Sequence, residues 1–291
     1  MKNDIKYSKI IAGTMTWGSW GRQLTSAEMT DLIDFCKDHQ ISSFDHADIY
    51  GDYANEEAFG KAFLSSNTKR EEVQFITKCG IQFVTKVRSN KVKHYDYSTD
   101  YIIWSAERSL VKLKTDYLDL FLLHRPSPLM HPDEVAEAIY RLQKEGKIRE
   151  FGVSNFTNSQ VALLEKSIPV KANQVEFSLS ANKVMYDGTF DDCIIHNRMA
   201  MAWSPLGGYF RENGQKRERI EKVMKELEEK YKANASQLLL AWILKHPAEV
   251  YPVVGTTNED RLNESVLAQE IVLETEDWFS LLTASEGHEV P

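Results

Sequence analysis

Apolar segments and amphipathic segments alternate along the whole chain. Short runs rich in β-branched and aromatic residues, such as KIIAGTM, VQFITKCG and YLDLFLLH, are typical of buried strands. Each run is followed by a stretch in which apolar residues recur every three or four positions, as on an amphipathic helix. The first of these, LTSAEMTDLIDFCKDHQ, opens with Thr25 and Glu28 at the spacing of a capping box and then places Met29 and Cys36 on one face.

The same alternation continues to the end of the chain and predicts eight strand–helix units. Further strands are predicted in ISSFDHA, IREFGVSN, VKANQVEFS, MAMAWSPLGG and VYPVVGTT. Helices are predicted near residues 54–66, 99–114, 133–145, 158–167, 188–197, 216–231, 234–246, 259–269 and 275–285. Alternating units of this kind favour a parallel sheet. Because no GxGxxG follows the first strand, we predict a closed (β/α)8 TIM barrel of the α/β class with an extra C-terminal helix, in one domain spanning residues 1–291.

Charge and composition exclude several classes of partner. The net charge of −8 argues against a nucleic acid or an anionic membrane surface as the main partner. No apolar run approaches the length of a membrane-spanning helix, and MKNDIKYSKI lacks the apolar region of a signal peptide. Cys36, Cys79 and Cys193 are odd in number and far apart, which favours free thiols in a reducing compartment. We therefore expect a cytoplasmic protein.

Ionisable and phenolic side chains stand where three consecutive strands end. Asp45 ends the second strand with Tyr50 just beyond it, Lys78 ends the third and His124 the fourth. Catalytic groups of such barrels lie at the C-terminal strand ends, and neighbouring strands are only about 4.8 Å apart. A buried lysine beside a phenol lowers the pKa of the phenol, and an aspartate offsets the cost of burying the lysine.

A histidine across the pocket can donate a hydrogen bond to a substrate oxygen, so these groups together predict a proton donor facing a carbonyl. None of them can supply a hydride, and a cofactor is therefore required. Taken singly, each has an ordinary interpretation: Asp45 as a loop cap, Tyr50 as a rim aromatic, Lys78 as a solvated charge and His124 as a core histidine. Their joint placement on consecutive strand ends favours the catalytic interpretation.

Two other sets of reactive residues are weaker candidates. Cys79 adjoins the lysine, but no histidine–acid pairing with it is legible, so a strand thiol is the better interpretation. His46 and Asp48 lack a third ligand at a suitable spacing, and no metal is predicted.

The order of several motifs resembles that of the aldo-keto reductase superfamily over nearly the whole chain. These motifs are FDHADIYG, ITKCG, LLHRP, GVSNF, NQVEFS, AWSPLGG and PVVGTTNEDRLNES. The resemblance implies a (β/α)8 barrel that reduces aldehydes and ketones with NADPH and without a metal. It also implies that Tyr50 is the general acid, that Lys78 lowers its pKa, that Asp45 pairs with Lys78 and that His124 orients the substrate carbonyl.

The resemblance further implies where the cofactor lies. Ser154, Asn155 and Gln174 correspond to residues that hold the nicotinamide carboxamide, and Trp203 to the aromatic residue stacked on the nicotinamide ring; an aromatic core plug is the alternative for Trp203. Other residues expected to line this part of the cofactor site are Ser204, Leu206 and Gly207 around the pyrophosphate, and Thr14, Met15 and Asp45.

The far end of the cofactor is expected at GTTNEDRLNES, which follows the last strand and opens a helix. Thr256, Thr257 and Arg261 are expected to grip the 2′-phosphate, while Glu264 and Ser265 face the adenine. A solvated helix charge is the alternative for Arg261. Many family members carry a lysine where Gly255 stands and an asparagine where Ser265 stands. These two departures predict a weaker clamp on the 2′-phosphate.

A small carbonyl compound is the expected partner, and Trp20, Tyr95 and Tyr209 are candidates for the edge of its pocket, as are His94 and Tyr97. Two rival functions remain open. One is a nucleotide-binding regulatory module with little turnover, against which the presence of the tyrosine and the histidine argues. The other is a lyase that uses Lys78 as a Schiff-base amine.

Overall fold

The structure is a computed structural model that describes residues 5–290. At its centre lies a closed barrel of eight parallel strands. The strands are β1 Ile11–Gly13, β2 Ser43–Asp45, β3 Gln74–Cys79, β4 Leu118–Leu123, β5 Ile148–Ser154, β6 Ala172–Glu176, β7 Met199–Trp203 and β8 Tyr251–Val254. Consecutive strands pair with each other, and β8 pairs with β1 to close the sheet. The predicted (β/α)8 barrel is therefore confirmed. Residues 1–4 and 291 of the predicted domain lie outside the described residues.

Helices connect the strands, and every predicted helix is present within a few residues of its expected ends. They are α1 Ser26–Asp38, α2 Asn55–Ser65, α3 Thr99–Leu113, α4 Pro132–Lys144, α5 Asn158–Glu165, α6 Thr189–Ile195, α7 Gln215–Tyr231, α8 Ala235–Leu244, α9 Glu259–Leu267 and α10 Thr275–Glu286. Smaller elements that were not predicted are the helical turn Tyr50–Tyr53, the antiparallel pair Ile81–Gln82 and His94–Tyr95, and three 3-10 turns, Arg70–Glu72, Lys183–Met185 and Ala268–Glu270. Within residues 5–290 no helix has both the length and the apolarity to cross a membrane.

A local capping signal begins the helical series, and a long-range contact between two tryptophans holds its last helix. Thr25 and Glu28 form the predicted capping box, in which the Thr25 amide donates to Glu28 Oε2 at 2.7 Å. At the other end, the extra C-terminal helix α10 is anchored by Trp278, whose ring stacks on Trp242 of α8 with 4.8 Å between ring centroids. Each indole N–H donates to the backbone carbonyl of the other tryptophan.

Alternation along the strands decides which side chains enter the barrel. In β3, Ile76 belongs to the apolar cluster inside the barrel, whereas Phe75 and Cys79 belong to the outer core between strands and helices. Because successive side chains point to opposite faces, Lys78 shares the inward face of Ile76. All three cysteines are free and buried, as the sequence predicted.

Candidate active site

A buried ion pair lies inside the C-terminal end of the barrel. The Lys78 ammonium donates to both carboxylate oxygens of Asp45, at 2.8 and 2.7 Å, and to the carbonyl of His46 at 2.7 Å. Lys78 is fully buried and Asp45 is 3% exposed. Burying an unpaired lysine would be costly, so these acceptors explain why the cation is tolerated. The same ammonium reaches the Tyr50 hydroxyl at 3.3 Å.

Tyr50 and His124 face each other at the mouth of the barrel. Their ring centroids are 6.1 Å apart at an interplanar angle of 80°. The backbone turns sharply after Tyr50, since Gly51 has a φ of +58° and a Cβ there would lie 1.9 Å from Asn55 Oδ1. This left-handed position requires glycine and directs the Tyr50 side chain back over β3. The structure thus brings Asp45, Tyr50, Lys78 and His124 together, as the sequence predicted.

The charges of this group follow from burial and from each other. Burial raises the pKa of Tyr50, and although Lys78 acts in the opposite direction the net shift is upward. The sequence predicted that Lys78 lowers the pKa of Tyr50. That prediction is wrong for the net direction, because burial outweighs the lysine. Burial alone would lower the pKa of Lys78, but the negative charge of Asp45 and the contact with Tyr50 raise it. Burial and the Lys78 cation hold the pKa of His124 well below its usual value.

At neutral pH the site therefore holds a protonated phenol, an ammonium and a neutral imidazole. His124 Nδ1 is buried, and no group in the described part of the chain satisfies it. A protonated phenol and a neutral imidazole can both donate hydrogen bonds to one substrate oxygen.

Two further carboxyl groups lie buried behind the site. Asp48 Oδ2 accepts hydrogen bonds from Ser105 Oγ at 3.1 Å and from Tyr101 OH at 3.3 Å. Glu56 Oε1 accepts from Thr77 Oγ1 at 2.7 Å. Burial, reinforced by the charge of Glu56, raises the pKa of Asp48 to about 7. Burial likewise raises the pKa of Glu56.

The Asp48 carboxyl makes the stability of the fold depend on pH. Its pKa is raised above the value of about 3.8 expected in the unfolded chain, so its contribution to stability is fully present below about pH 4. That contribution is lost as the pH rises to about 7 and is worth up to about 4 kcal/mol. We expect Asp48→Asn to gain stability relative to the parent between pH 4 and 7, measured by denaturant unfolding across this range. Asp38→Asn, at an exposed carboxylate, is the matched control, and equal pH profiles for all three proteins would contradict the assignment.

A chain of hydrogen bonds joins the predicted nicotinamide residues to the ion pair. Trp203 Nε1 donates to Asn155 Oδ1 at 2.9 Å, and Asn155 Nδ2 donates to Ser154 Oγ at 2.7 Å. Ser154 Oγ donates to the Gln174 carbonyl at 2.9 Å, and Gln174 Nε2 donates to Asp45 Oδ1 at 3.0 Å. These contacts fix the plane of the indole. Trp203 is half-buried at the rim of the barrel, so it is no fully buried core plug.

Backbone strain accompanies these residues. Asn155 has a φ of +61° and Ser204 a φ of +54°, both in the left-handed region that non-glycine residues seldom adopt. Such strain concentrates at ligand-binding sites. Gly207, also left-handed, follows in the same loop. This loop borders a cleft beyond Trp203, lined by Ser180, Leu206, Gly208, Tyr209, Lys216 and Arg217 among others.

The residues that follow β1 line another side of the site. Thr14 is buried, and its hydroxyl lies 2.9 Å from His46 Nδ1. Asn55 Nδ2 donates to the carbonyls of Thr14 and Met15, at 3.0 and 3.3 Å, and so positions the loop after β1. Met15 itself is 45% exposed.

The segment after β8 opens helix α9. Asn258 caps the helix by accepting from the Arg261 amide at 2.9 Å, and Thr256 Oγ1 accepts from the Asn258 amide at 3.2 Å. Ser265 is buried, and its hydroxyl donates to the Arg261 carbonyl at 2.7 Å. Thr257 and Glu264 are half-buried, and Gly255 and Arg261 are exposed. In the part of the chain that the structure describes, the Arg261 side chain forms no salt bridge, so its charge is available to a ligand.

Two of the predicted pocket residues lie beside Tyr50 and one does not. The Trp20 ring is 6.2 Å from Tyr50 and 6.0 Å from Phe83, centroid to centroid. Tyr95, like Phe83, packs against the apolar cluster that contains Tyr50. Tyr209 packs instead into the outer core and lines the cleft beyond Trp203.

Of the two other candidates for the pocket edge, His94 is exposed, and Tyr97 is buried with its hydroxyl against the backbone of Arg125. Arg125 follows His124 directly, but no pattern in the sequence marks it as part of the site. Ser180, Lys216 and Arg217 line the cleft. No motif marks Ser180 or Lys216, and Arg217 begins the run RERIEKVMKELEEK, whose pattern predicts a solvated amphipathic helix. Among the described residues, no group of three or more histidine, cysteine or acidic side chains could hold a metal.

The chain is similar over nearly its whole length to known proteins. A family model described as the aldo/keto reductase family matches residues 9–285. The chain is 39% identical to the uncharacterized oxidoreductase YcsN of Bacillus subtilis (strain 168), over 100% of this chain and 98% of that protein. It is 32% identical to a 6-dehydroglucose reductase of Agrobacterium fabrum, again over 100% of this chain and 98% of the relative.

A solved structure matches the barrel as well. The aldo/keto reductase from Klebsiella pneumoniae, in complex with NADP and acetate, superposes with a TM-score of 0.76 at 26% identity, covering 94% of this chain and 90% of that one. The family model spans all but the ends of the chain and the barrel carries the four polar groups that the motifs predicted. The chain therefore belongs to the aldo/keto reductase family.

Proposed function

We propose that this protein reduces the carbonyl group of small aldehydes or ketones to an alcohol with NADPH. The observation that carries the proposal is the buried Lys78, which holds Asp45 on one side and the Tyr50 hydroxyl on the other, next to His124. When bound, NADPH supplies the hydride, and the chain's own residues supply the proton and its control.

Each of the four residues has a separate role. The neutral imidazole of His124 donates a hydrogen bond to the carbonyl oxygen and orients it. Tyr50 then donates its phenolic proton to the alkoxide, which is a far stronger base than a phenolate, so a raised pKa does not prevent the transfer. The Lys78 ammonium stabilises the phenolate that remains, and Asp45 keeps Lys78 charged and in place.

The nicotinamide end of the cofactor fits the hydrogen-bonded chain from Trp203 to Asp45. Asn155, Ser154 and Gln174 offer amide and hydroxyl groups for a carboxamide, and the fixed Trp203 indole offers a stacking face. The diphosphate is assigned to the loop at Leu206 and Gly207, beside the cleft that Lys216 and Arg217 line. Glu212 also lines this cleft and Arg217 pairs with Glu221, so Lys216 is the cation left for the diphosphate. NADP in complex with the related Klebsiella reductase supports this choice of cofactor.

Arg261 is the candidate clamp for the 2′-phosphate. It is exposed and lies in the first turn of α9, which Thr256 and Thr257 precede in the chain. We expect Arg261→Ala to raise the Kd for NADPH about tenfold and to leave the Kd for NADH nearly unchanged, because only NADPH carries the phosphate. Titration of each cofactor followed by protein fluorescence measures both values, and equal losses for the two cofactors would count against the assignment.

Gly255 offers a complementary gain of function. A Cβ placed on Gly255 meets no atom within 4 Å, and its backbone is not in the left-handed region. We expect Gly255→Lys to tighten NADPH severalfold and NADH little, since it restores a cation that many family members carry. Gly255→Gln is the matched neutral control. Equal tightening by lysine and glutamine would show that side-chain bulk, not charge, is responsible.

A direct assay separates the proposed reductase from its rivals. Loss of NADPH absorbance with a panel of aldehydes and ketones supports the reductase, whereas borohydride trapping of a substrate on Lys78 supports a Schiff-base lyase. The raised pKa of Lys78 favours the reductase, since a Schiff-base amine must be deprotonated to attack.

A further inference from the structure

Two cations near the active-site mouth lack carboxylate partners among the described residues. Arg125 follows His124, and its guanidinium carbon lies 5.4 Å from the centre of the Trp203 ring. Lys93 lies in the segment after β3, with its ammonium 5.0 Å from the centre of the Phe83 ring. Neither forms a salt bridge with any of residues 5–290. Each side chain packs on an aromatic residue, and its charge is left for a ligand.

The backbone that carries Arg125 is held firmly. The Arg125 amide donates to the Tyr97 hydroxyl at 3.1 Å, and that hydroxyl donates in turn to the Arg125 carbonyl. Tyr97 is buried against Gly80, where a Cβ would lie 2.0 Å from Tyr97 Cε1. Gly80 has a φ of +110° and permits this close approach. A clamped backbone limits the positions that the guanidinium can reach, which is how a binding group is pre-organised.

Lys93 is connected to the catalytic tyrosine by contacts between aromatic rings. Lys93 covers Phe83, Phe83 lies edge-on to Trp20 at 6.0 Å, and Trp20 lies 6.2 Å from Tyr50. The segment from 81 to 95 carries Lys86, Arg88, Lys91 and Lys93 and no acidic residue, within a chain of net charge −8. Arg88 turns away to the rings of Tyr53 and Trp104.

The positive charges of Arg125 and Lys93 act on His124 in the catalytic centre. After burial and Lys78, the charges of Arg125 and Lys93 are the further causes that lower the pKa of His124. Both cations therefore lie within electrostatic range of the point where a substrate carbonyl would bind. A second, negatively charged group on the same substrate would meet them.

We propose that the substrate of this reductase carries an anionic group, a carboxylate or a phosphate, on the same molecule as its carbonyl, and that Arg125 and Lys93 bind that anion. This inference rests on the proposed carbonyl reduction. Arg125 offers a fork of N–H donors that matches either anion, and Lys93 adds a flexible point charge. Both residues are thus specificity determinants, separate from the groups that move the proton.

The test compares charged and uncharged substrates with the same aldehyde. One pair is para-carboxybenzaldehyde and its methyl ester, and the second is glyceraldehyde phosphate and glyceraldehyde, so that the carboxylate and the phosphate are judged separately. The measured quantity is the ratio of kcat/KM for the anion to kcat/KM for its uncharged partner. We expect the parent to favour at least one anion by about thirtyfold.

Variants then assign the preference to the two cations. Arg125→Gln should lower the ratio about tenfold, Lys93→Gln about threefold, and the double variant should bring it close to one. Lys144→Gln removes the same charge at the end of α4, which lies at the opposite end of the barrel, and should leave the ratio unchanged. Because Lys93 is exposed, its variant is expected to fold even if Arg125→Gln does not.

A binding measurement makes the result independent of turnover. Calorimetric titration of the NADP+-saturated protein with para-carboxybenzyl alcohol should give a Kd about tenfold weaker in Arg125→Gln. Equal ratios in the parent and all variants, with intact turnover of the uncharged esters, would overturn the anion site while leaving the reductase assignment in place. A loss of NADPH affinity in Arg125→Gln as large as the loss for the anion would also overturn it, because Arg125 would then serve the cofactor. Absence of turnover for every carbonyl, together with unchanged alcohol binding, would refute both proposals.

Discussion

Tyr50→Phe is expected to lower kcat for carbonyl reduction by about a thousandfold while changing the Kd for NADPH by less than about twofold. The substitution deletes the hydroxyl that lies 3.3 Å from Lys78 and retains the ring that packs against Trp20 and His124. The proton source is lost and the nucleotide site is left intact. Steady-state assays of NADPH oxidation and a fluorescence titration of NADPH measure the two quantities.

The control is a second phenol in the same turn. Tyr53 is buried, and its hydroxyl bonds the backbone of Ile81 and Phe83, so Tyr53→Phe removes the same atom from a non-catalytic position. We expect this variant to lose less than about tenfold in kcat. A Tyr50→Phe enzyme that keeps near parental activity, or equal losses in both variants, would remove Tyr50 from its proposed role.

The pH profile of reduction gives an independent view of Tyr50. Because burial raises the pKa of the phenol above its usual value of about 10, the group remains a proton donor throughout the neutral range. The contribution of Tyr50 to kcat should therefore be flat across neutral pH and decline only in strongly alkaline solution. A decline near neutrality that Tyr50→Phe abolishes would mean that Lys78 outweighs burial when cofactor is bound.

The strand-end residues could be predicted from sequence because the barrel leaves them little freedom. Asp45 and Lys78 sit on adjacent parallel strands, and the two-residue alternation alone turns both into the barrel interior. What could not be predicted depends on loops and on burial. The position of Lys93 depends on the fold of the segment from 81 to 97, which no periodic pattern describes. The direction of the Tyr50 pKa depends on how completely the neighbouring rings exclude water.

Packing in the loops also explains the placement of Tyr209. The position follows AWSPLGG, so the sequence suggests the substrate rim. In the structure its ring lies under the Arg217 guanidinium at 4.1 Å and contacts Phe210. The Arg217 side chain also donates to the Tyr209 carbonyl, which holds this loop against α7. The position of Tyr209 therefore depends on its contact with Arg217 of α7. A local sequence motif does not predict a contact of this kind.

Lys78→Met is expected to abolish reduction and also to destabilise the fold by about 3–5 kcal/mol. Methionine fits the space of the lysine stem, but it leaves the Asp45 carboxylate buried, and among residues 5–290 its remaining side-chain donor is Gln174 Nε2. Removing one member of a buried ion pair leaves the other charge uncompensated in a medium that solvates it poorly. Denaturant unfolding measures the stability, and NADPH oxidation measures the activity.

The double variant Asp45→Asn/Lys78→Met separates the stability of the pair from its chemistry. With both charges gone, the neutral amide introduced at position 45 can still accept from Gln174 in the same pocket, so the double variant should be more stable than Lys78→Met alone. It should nevertheless remain inactive, because no cation is left to stabilise the Tyr50 phenolate. Asp45→Asn alone completes the comparison. If the double variant lost as much stability as Lys78→Met and Asp45→Asn lose together, Asp45 and Lys78 would not be coupled in the way that their 2.7 Å contact implies. If it regained activity together with stability, the ion pair would serve the fold and not the reaction.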